Sequence, residues 1–237
     1  MGILITIIII SAAILVHEAG HYYCAKLSGI GIAVFSIGFG PRLVGYRHNE
    51  TDFRISMIPL GGYVMPEMDD EDDYFALAPW RRAFMSLGGP FASIGIALLA
   101  VFVVILVESD FHFSTVFYDA FAAFVSLCSF MLKSILGIFN GSSHLSGIVG
   151  MVGAGSGYVA NNPLNWLKFF AIINLNLGLI NLLPLPVLDG GKIAFCLLEK
   201  LIPGSMKFQY ITTVATWTLL MGLMVFLTYK DIMGLIA

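Results

Sequence analysis

Charge is what this sequence has least of. Only 11% of its 237 residues are Asp, Glu, Lys or Arg, against about a quarter in soluble globular chains. With 58% hydrophobic residues and a mean hydropathy of +0.90, that shortage excludes an ordinary water-soluble domain and points to the bilayer. A net charge of −3 without any basic tract offers nothing to hold nucleic acid. Cysteine is scarce too. Cys24, Cys128 and Cys196 have no paired spacing and sit in apolar surroundings, so they read as small apolar filler rather than a disulfide or metal cluster. The first apolar run has no basic residue before it and no small-residue cleavage site ahead of His17. It therefore reads as a retained span, not a cleaved leader.

Long apolar runs are what the chain does have. A helix needs about 20 apolar residues to cross a bilayer core. Residues 2–25, 83–107, 164–183 and 208–228 each supply such a run. Residues 115–139 are apolar but carry Asp119 and Lys133, and read better as a helix lying against the membrane. Together with the Gly-rich run at 147–157, the whole of 115–160 is expected to be amphipathic or re-entrant. Residues 32–64 alternate short β-prone runs with Gly and Pro around the polar turn H-N-E-T-D, which predicts one or two hairpins at the membrane edge. The expected fold is an all-α polytopic membrane protein of about four transmembrane helices with a small membrane-associated β-hairpin region, in one domain over 1–237.

The few cations suggest an orientation. Lys26, Arg42, Arg47, Arg54, Arg81 and Arg82 lie between the first two spans, and Lys192, Lys200 and Lys207 between the last two. The positive-inside tendency puts both connections in the cytoplasm and both chain ends on the other side. The acidic run at 69–73 weighs little in that rule and reads as a solvated loop.

Ionisable groups inside an apolar span are costly and mark function by default. H-E-A-G-H, residues 17–21, puts three of them at the end of the first span. Histidines four apart share one helix face and can hold one zinc ion, with the intervening glutamate placed for proton transfer. His17 lies about 22 Å along the helix from Gly2, so the site would be sunk within the membrane. A catalytic zinc takes three protein ligands as a rule. The third candidate lies in N-L-L-P-L-P-V-L-D-G-G, residues 181–191. Pro184 and Pro186 break the helix there, and irregular backbone at membrane depth is tolerated where it lines a cavity. Asp189 is the one carboxylate in that stretch; it fits a metal ligand and a helix cap equally.

These two sites, with F-S-I-G-F-G at 35–40, I-P-L-G-G-Y-V at 58–64, R-R-A-F-M-S-L-G-G-P at 81–90, L-S-G-I-V-G at 145–150 and N-L-G-L-I-N-L-L-P-L-P-V-L-D-G-G at 176–191, resemble the site-2 proteases, intramembrane zinc proteases, and are most similar to their bacterial regulator-of-sigma-E protease branch. The resemblance covers nearly the whole chain in family order. It implies that His17, His21 and Asp189 ligate Zn2+, that Glu18 is the catalytic acid/base, and that Asn181 helps hold substrate. It implies a β region beside the substrate, for which Gly38, Phe39, Gly40, Gly61, Gly62, Tyr63 and Val64 are the candidates. It also implies a multi-pass protein of the bacterial inner membrane that cuts single-span membrane proteins, such as anti-sigma factors, or signal-peptide remnants. The competing expectation is a non-proteolytic pseudoprotease that only binds helices; the intact Glu18 speaks against it.

Three departures stand out. The family's G-P-x-x-N reads Gly89-Pro90-Phe91-Ala92-Ser93, with serine for asparagine, and its S-G-P-V-G reads Ser146-Gly147-Ile148-Val149-Gly150. Many relatives carry PDZ domains after the second span, where only Glu108–Ser114 stands here. No PDZ domain is expected, and a separate adaptor could replace it. His48, His112 and His144 lie in polar stretches and read as solvated. Trp80, Trp166 and Trp217 fit interface anchors.

Overall fold

The computed structural model describes residues 1–68, 71–109, 113–139, 148–160, 162–199, 201–202 and 205–236. His112, His144, Ser146, Gly147 and two members of the acidic run, Asp69 and Asp70, lie outside them. The chain runs α1 (Gly2–Leu27), β1 (Ile32–His48), β2 (Thr51–Pro66), α2 (Glu71–Ala76), α3 (Pro79–Glu108), α4 (Phe113–Phe139), α5 (Ile148–Val159), α6 (Pro163–Asn181), α7 (Asp189–Leu198) and α8 (Ser205–Ile236). The expected helical membrane protein with a small β region is what forms.

The helices begin and end where the residues dictate. Pro79 opens α3 and Pro163 opens α6, positions where a missing N–H costs nothing. Asn162 caps α6 by accepting from Leu164 N at 2.9 Å. α6 stops at Asn181 because Pro184 and Pro186 follow. Pro90 sits inside α3 yet is fully buried between neighbouring helices, the setting in which a membrane helix tolerates one.

Five helices, not four, are long and apolar enough to cross a membrane: Gly2–Leu27, Pro79–Glu108, Thr115–Gly137, Pro163–Asn181 and Ile211–Met233. The addition is the 115–139 segment. Its two charges, Asp119 and Lys133, do not interrupt a helix of 27 residues. The Gly-rich stretch forms α5, whose 12 residues fall short of the ~20 that cross a bilayer. α5 touches both ends of the chain's fold. Gly150 N donates to Asp231 Oδ2, near the end of α8, at 2.8 Å, and a Cβ on Gly2 would lie 2.6 Å from Ser156 O.

The core is the crossing of α1, α3 and α6. Ala13, Ala25, Ala97 and Leu175 are fully enclosed. α3 is also fastened to the last third of the chain: the buried Arg82 guanidinium pairs with Glu199 and donates to Leu77 O at 3.1 Å.

The β region is more than a plain hairpin. Arg42–His48 pairs antiparallel with Thr51–Ser56, and Ile32–Ile37 pairs with Gly62–Pro66. Val34–Ile37 is in addition paired to Asp52–Ile55, so this stretch is flanked on both sides. The backbone reverses around Gly38 and Gly40, which have φ of 89° and 88°; only glycine takes such values at no steric cost. The far end of the sheet bears exposed Leu43, Val44, Tyr46, Ile55 and Met57 beside Arg42, Arg47 and Arg54, a composition suited to a membrane surface.

Candidate metal centre

α1 presents His17 and His21 on one face, and α7 begins with Asp189 just after the double-proline break. The two ring nitrogens Nε2 stand 3.2 Å apart. Asp189 Oδ2 is 3.2 Å from His17 Nε2 and 3.1 Å from His21 Nε2. All three side chains are buried, and they form the one His/Cys/Asp/Glu group able to share a metal among the described residues.

The other ring nitrogens are also engaged. His21 Nδ1 lies 2.8 Å from Met85 O. A carbonyl only accepts, so Nδ1 carries the proton and Nε2 presents a lone pair; the 3.3 Å approach of Gly89 N to the same Nδ1 is the weaker contact. His17 Nδ1 lies 3.0 Å from Ser93 Oγ, which can accept its proton in the same way. Three lone-pair-bearing atoms then face one another, an arrangement that a shared cation would stabilise. A tetrahedral zinc with bonds of about 2.0–2.1 Å spaces its ligand atoms by about 3.3 Å. The spacings here match, so the residues fit that ion.

The remaining Asp189 oxygen, Oδ1, accepts from Lys192 Nζ at 3.1 Å. Asp189 is therefore the first residue of α7 and a member of the triad. Its side chain accepts no hydrogen bond from the α7 backbone among those described, so of the two expected roles the helix cap is the one the geometry does not support.

Glycine makes the arrangement possible where α3 passes the rings. A Cβ on Gly89 would fall on His21 Nε2 and 2.7 Å from His17 Nε2, so any side chain there would occupy the space between the rings.

The triad opens onto a cavity of about 300 Å³ walled by Ile14, Glu18, Phe39, Gly61–Val64, Tyr74, Leu177 and Asn181 among others. Glu18 is half-buried in that wall. Gly62 lies directly over it: a Cβ there would come 2.8 Å from Glu18 Cγ. Asn181 Nδ2 donates to Leu177 O at 3.0 Å, one turn back along its helix, which leaves its second N–H and its oxygen for the cavity. Phe39 and Tyr63, both in this wall, stack with ring centroids 6.1 Å apart. Gly38 and Gly40, expected beside them, are not part of this wall; they serve the backbone reversal. Burial raises the pKa of the Tyr74 phenol above its ordinary value, which keeps it a hydrogen-bond donor at the cavity rim.

The model of "Peptidase family M50" matches residues 5–223. The chain belongs to peptidase family M50. It is similar along 98% of its length to a "Putative zinc metalloprotease" of Clostridium perfringens, at 27% identity over 98% of that protein. A protein of the same description from Campylobacter jejuni is 25% identical over 98% of this chain and 94% of its own. The metalloprotease MmpA of Caulobacter vibrioides is 36% identical over 42% of this chain and 32% of its own length. The Clostridium alignment spans 332 positions against 237 residues here, so that M50 relative carries at least 95 residues without counterpart in this chain.

Four contributors to the site escaped sequence reasoning: Ser93, Gly89, the Met85 carbonyl and Lys192. Ser93 and Gly89 left a trace, in the Gly89-Pro90-Phe91-Ala92-Ser93 stretch set against the family's pattern, and Met85 lies in the quoted 81–90 stretch. Their roles, and that of Lys192, come from backbone proximity or from a neighbour one helical turn away, and no spacing rule marks them.

Proposed function

We propose that this M50 protein is an intramembrane zinc metalloendopeptidase that hydrolyses peptide bonds in or near the spans of single-span membrane proteins, in regulated intramembrane proteolysis or signal-peptide clearance. The observation that carries it is the buried donor triangle of His17, His21 and Asp189 with Glu18 in the same cavity wall. The zinc in the relatives' names supports the choice of ion.

Zinc held by the triad would polarise the scissile carbonyl and make water a nucleophile near neutral pH. The work of the chain's own residues follows from their placement. Glu18 takes a proton from the attacking water and returns it to the leaving nitrogen. Asn181 donates to the substrate backbone or to the oxygen on which charge develops. Ser93 and the Met85 carbonyl hold the imidazoles in the productive tautomer. A substrate helix must unwind before its carbonyls are accessible, and the Gly62–Pro66 strand offers an edge to pair with the opened chain. Phe39, Gly61, Gly62, Tyr63 and Val64 flank that path.

Four crossings suit the contacts better than five. Glu108 ends α3 and bonds Lys168 near the start of α6 at 2.5 Å, so residues 109–162 begin and end on one face of the membrane. A crossing by α4 would need a return, for which α5 is too short. α4 then lies along that face, where α5 also meets the start of α1 and the end of α8, and both termini share it. The Lys and Arg distribution supports reading it as the non-cytoplasmic face of a bacterial inner membrane. The chain works as one domain without a PDZ module; substrate choice rests on the sheet, the 115–160 segment or a separate adaptor.

The test is cleavage of a single-span peptide by protein reconstituted in liposomes, with Glu18→Gln as control. The wild type cuts and binds one zinc; the variant binds zinc and loses about 10²–10⁴-fold in rate. Undiminished turnover by the variant would refute the role of Glu18, and zinc binding without cleavage by the wild type would favour a pseudoprotease.

A further inference from the structure

The two carboxylate oxygens of Asp189 have different partners. Oδ2 stands 3.2 Å from His17 Nε2 and 3.1 Å from His21 Nε2, while Oδ1 accepts from Lys192 Nζ at 3.1 Å. Residues three apart share a helix face, and an exposed pair of this kind contributes little. Burial sets this pair apart. The Asp189 side chain is 6% exposed and that of Lys192 43%. Lys192 lines both the metal cavity and a larger cavity of about 1050 Å³ beside it. Its ammonium therefore reaches from the cavity wall to a carboxylate that is otherwise enclosed.

The backbone leaves the pair little room to shift. Lys192 N donates to Leu188 O at 3.2 Å, and Gly191 N to the same oxygen at 3.1 Å. A Cβ on Gly190 would lie 2.3 Å from Leu182 O, and one on Gly191 2.0 Å from Leu185 O. The first turn of α7 is thus pressed against the 182–185 backbone. That contact fixes the direction in which Asp189 and Lys192 leave the helix.

A carboxylate can give a cation one oxygen or both. A catalytic zinc takes three protein ligands and keeps its fourth position open; a second oxygen from Asp189 would fill it. We propose that Lys192 is a positioning residue: by binding Oδ1 it restricts Asp189 to a single ligating oxygen, Oδ2, and so keeps the remaining position free for water and the scissile carbonyl. The inference rests on the zinc protease reading above and adds a residue to it. Hydrogen-bonded partners of ligating carboxylates orient them and tune the metal; here the partner sets how many oxygens the carboxylate offers.

The experiment uses the purified full chain loaded with cobalt(II), whose visible absorption reports what occupies its coordination positions. Imidazole, a small neutral ligand, is titrated against it, and the zinc-loaded protein is assayed on a single-span peptide in parallel. Lys192→Met keeps an unbranched side chain but has neither charge nor N–H. It should bind one metal ion per chain, take up imidazole about 10–100-fold more weakly than the wild type, and lose kcat/KM by a similar factor, the range for partners of metal ligands. Lys192→Arg, which restores a charged donor and has the cavity to extend into, should recover both. Unchanged imidazole affinity in Lys192→Met would overturn the proposal whatever the rate. Loss of the metal from that variant would overturn it as well, since the lysine would then serve binding as such rather than the open position. The titration needs no substrate. Failure of the wild type to cut any peptide would therefore remove the protease reading alone, while imidazole binding still decides how Asp189 is held.

Discussion

The metal triad and the sheet edge face the same cavity, but they are built by different means. The triad is set by helix crossings that leave no freedom: α3 passes the imidazoles at Gly89, and each ring has a partner on its far nitrogen, Ser93 for His17 and Met85 O for His21. The sheet edge is a strand paired on one side, with exposed Phe39 and Met65 and open cavity beyond. Catalysis needs ligands fixed within a fraction of an ångström; a surface that receives many unwound sequences needs backbone edges and tolerant walls. Under the proposed function, the difference separates chemistry, assigned to α1, α3 and α7, from selection, assigned to β2.

That division can be broken or sharpened by substitution. The largest effect is expected at Asp189. Asp189→Ala leaves two imidazoles and an unpaired Lys192, and should lose bound zinc and all measurable cleavage; metal analysis of the purified protein checks the first and the peptide assay the second. Next comes Gly62, where the two regions meet. Gly62→Ala puts a methyl group against Glu18 Cγ and 2.9 Å from Ser36 O. A displacement of that size should cost about 10²-fold in kcat with zinc content unchanged, and a parallel loss of zinc would show that strand and triad are one unit. Smallest is Ser93. Ser93→Ala removes the partner of His17 Nδ1, and zinc affinity should fall about tenfold in competition with a chelator. Ser93→Asn, which restores a hydrogen-bonding side chain, should recover it. An affinity untouched by Ser93→Ala would mean that the serine is packing alone.

How far the sequence foretells this molecule depends on whether the interaction is local. His17, Glu18 and His21 are legible because one helical turn sets their relation. Asp189 is half legible: the Pro184–Pro186 break marks a cavity-lining stretch, but only the fold brings a residue 172 positions downstream to within 3.2 Å of His17. The β region is legible as strands. Its double pairing at Val34–Ile37 is not, because the reversal at Gly38–Gly40 looks in sequence like any glycine-rich turn. α4 resisted reading because composition measures apolarity, whereas Asp119 and Lys133 can lie on the wetted face of a surface helix as readily as interrupt a span. Ser93 and Met85 lie in stretches that the sequence marks, but their roles as partners of the imidazoles exist only where α3 crosses α1.

The most direct test is zinc K-edge X-ray absorption on the purified wild-type protein. The account predicts one zinc per chain, a nearest shell of nitrogen and oxygen at about 2.0–2.1 Å with two imidazoles, and loss of that signature in His17→Ala. A shell containing sulfur, or an unchanged spectrum in His17→Ala, would contradict it.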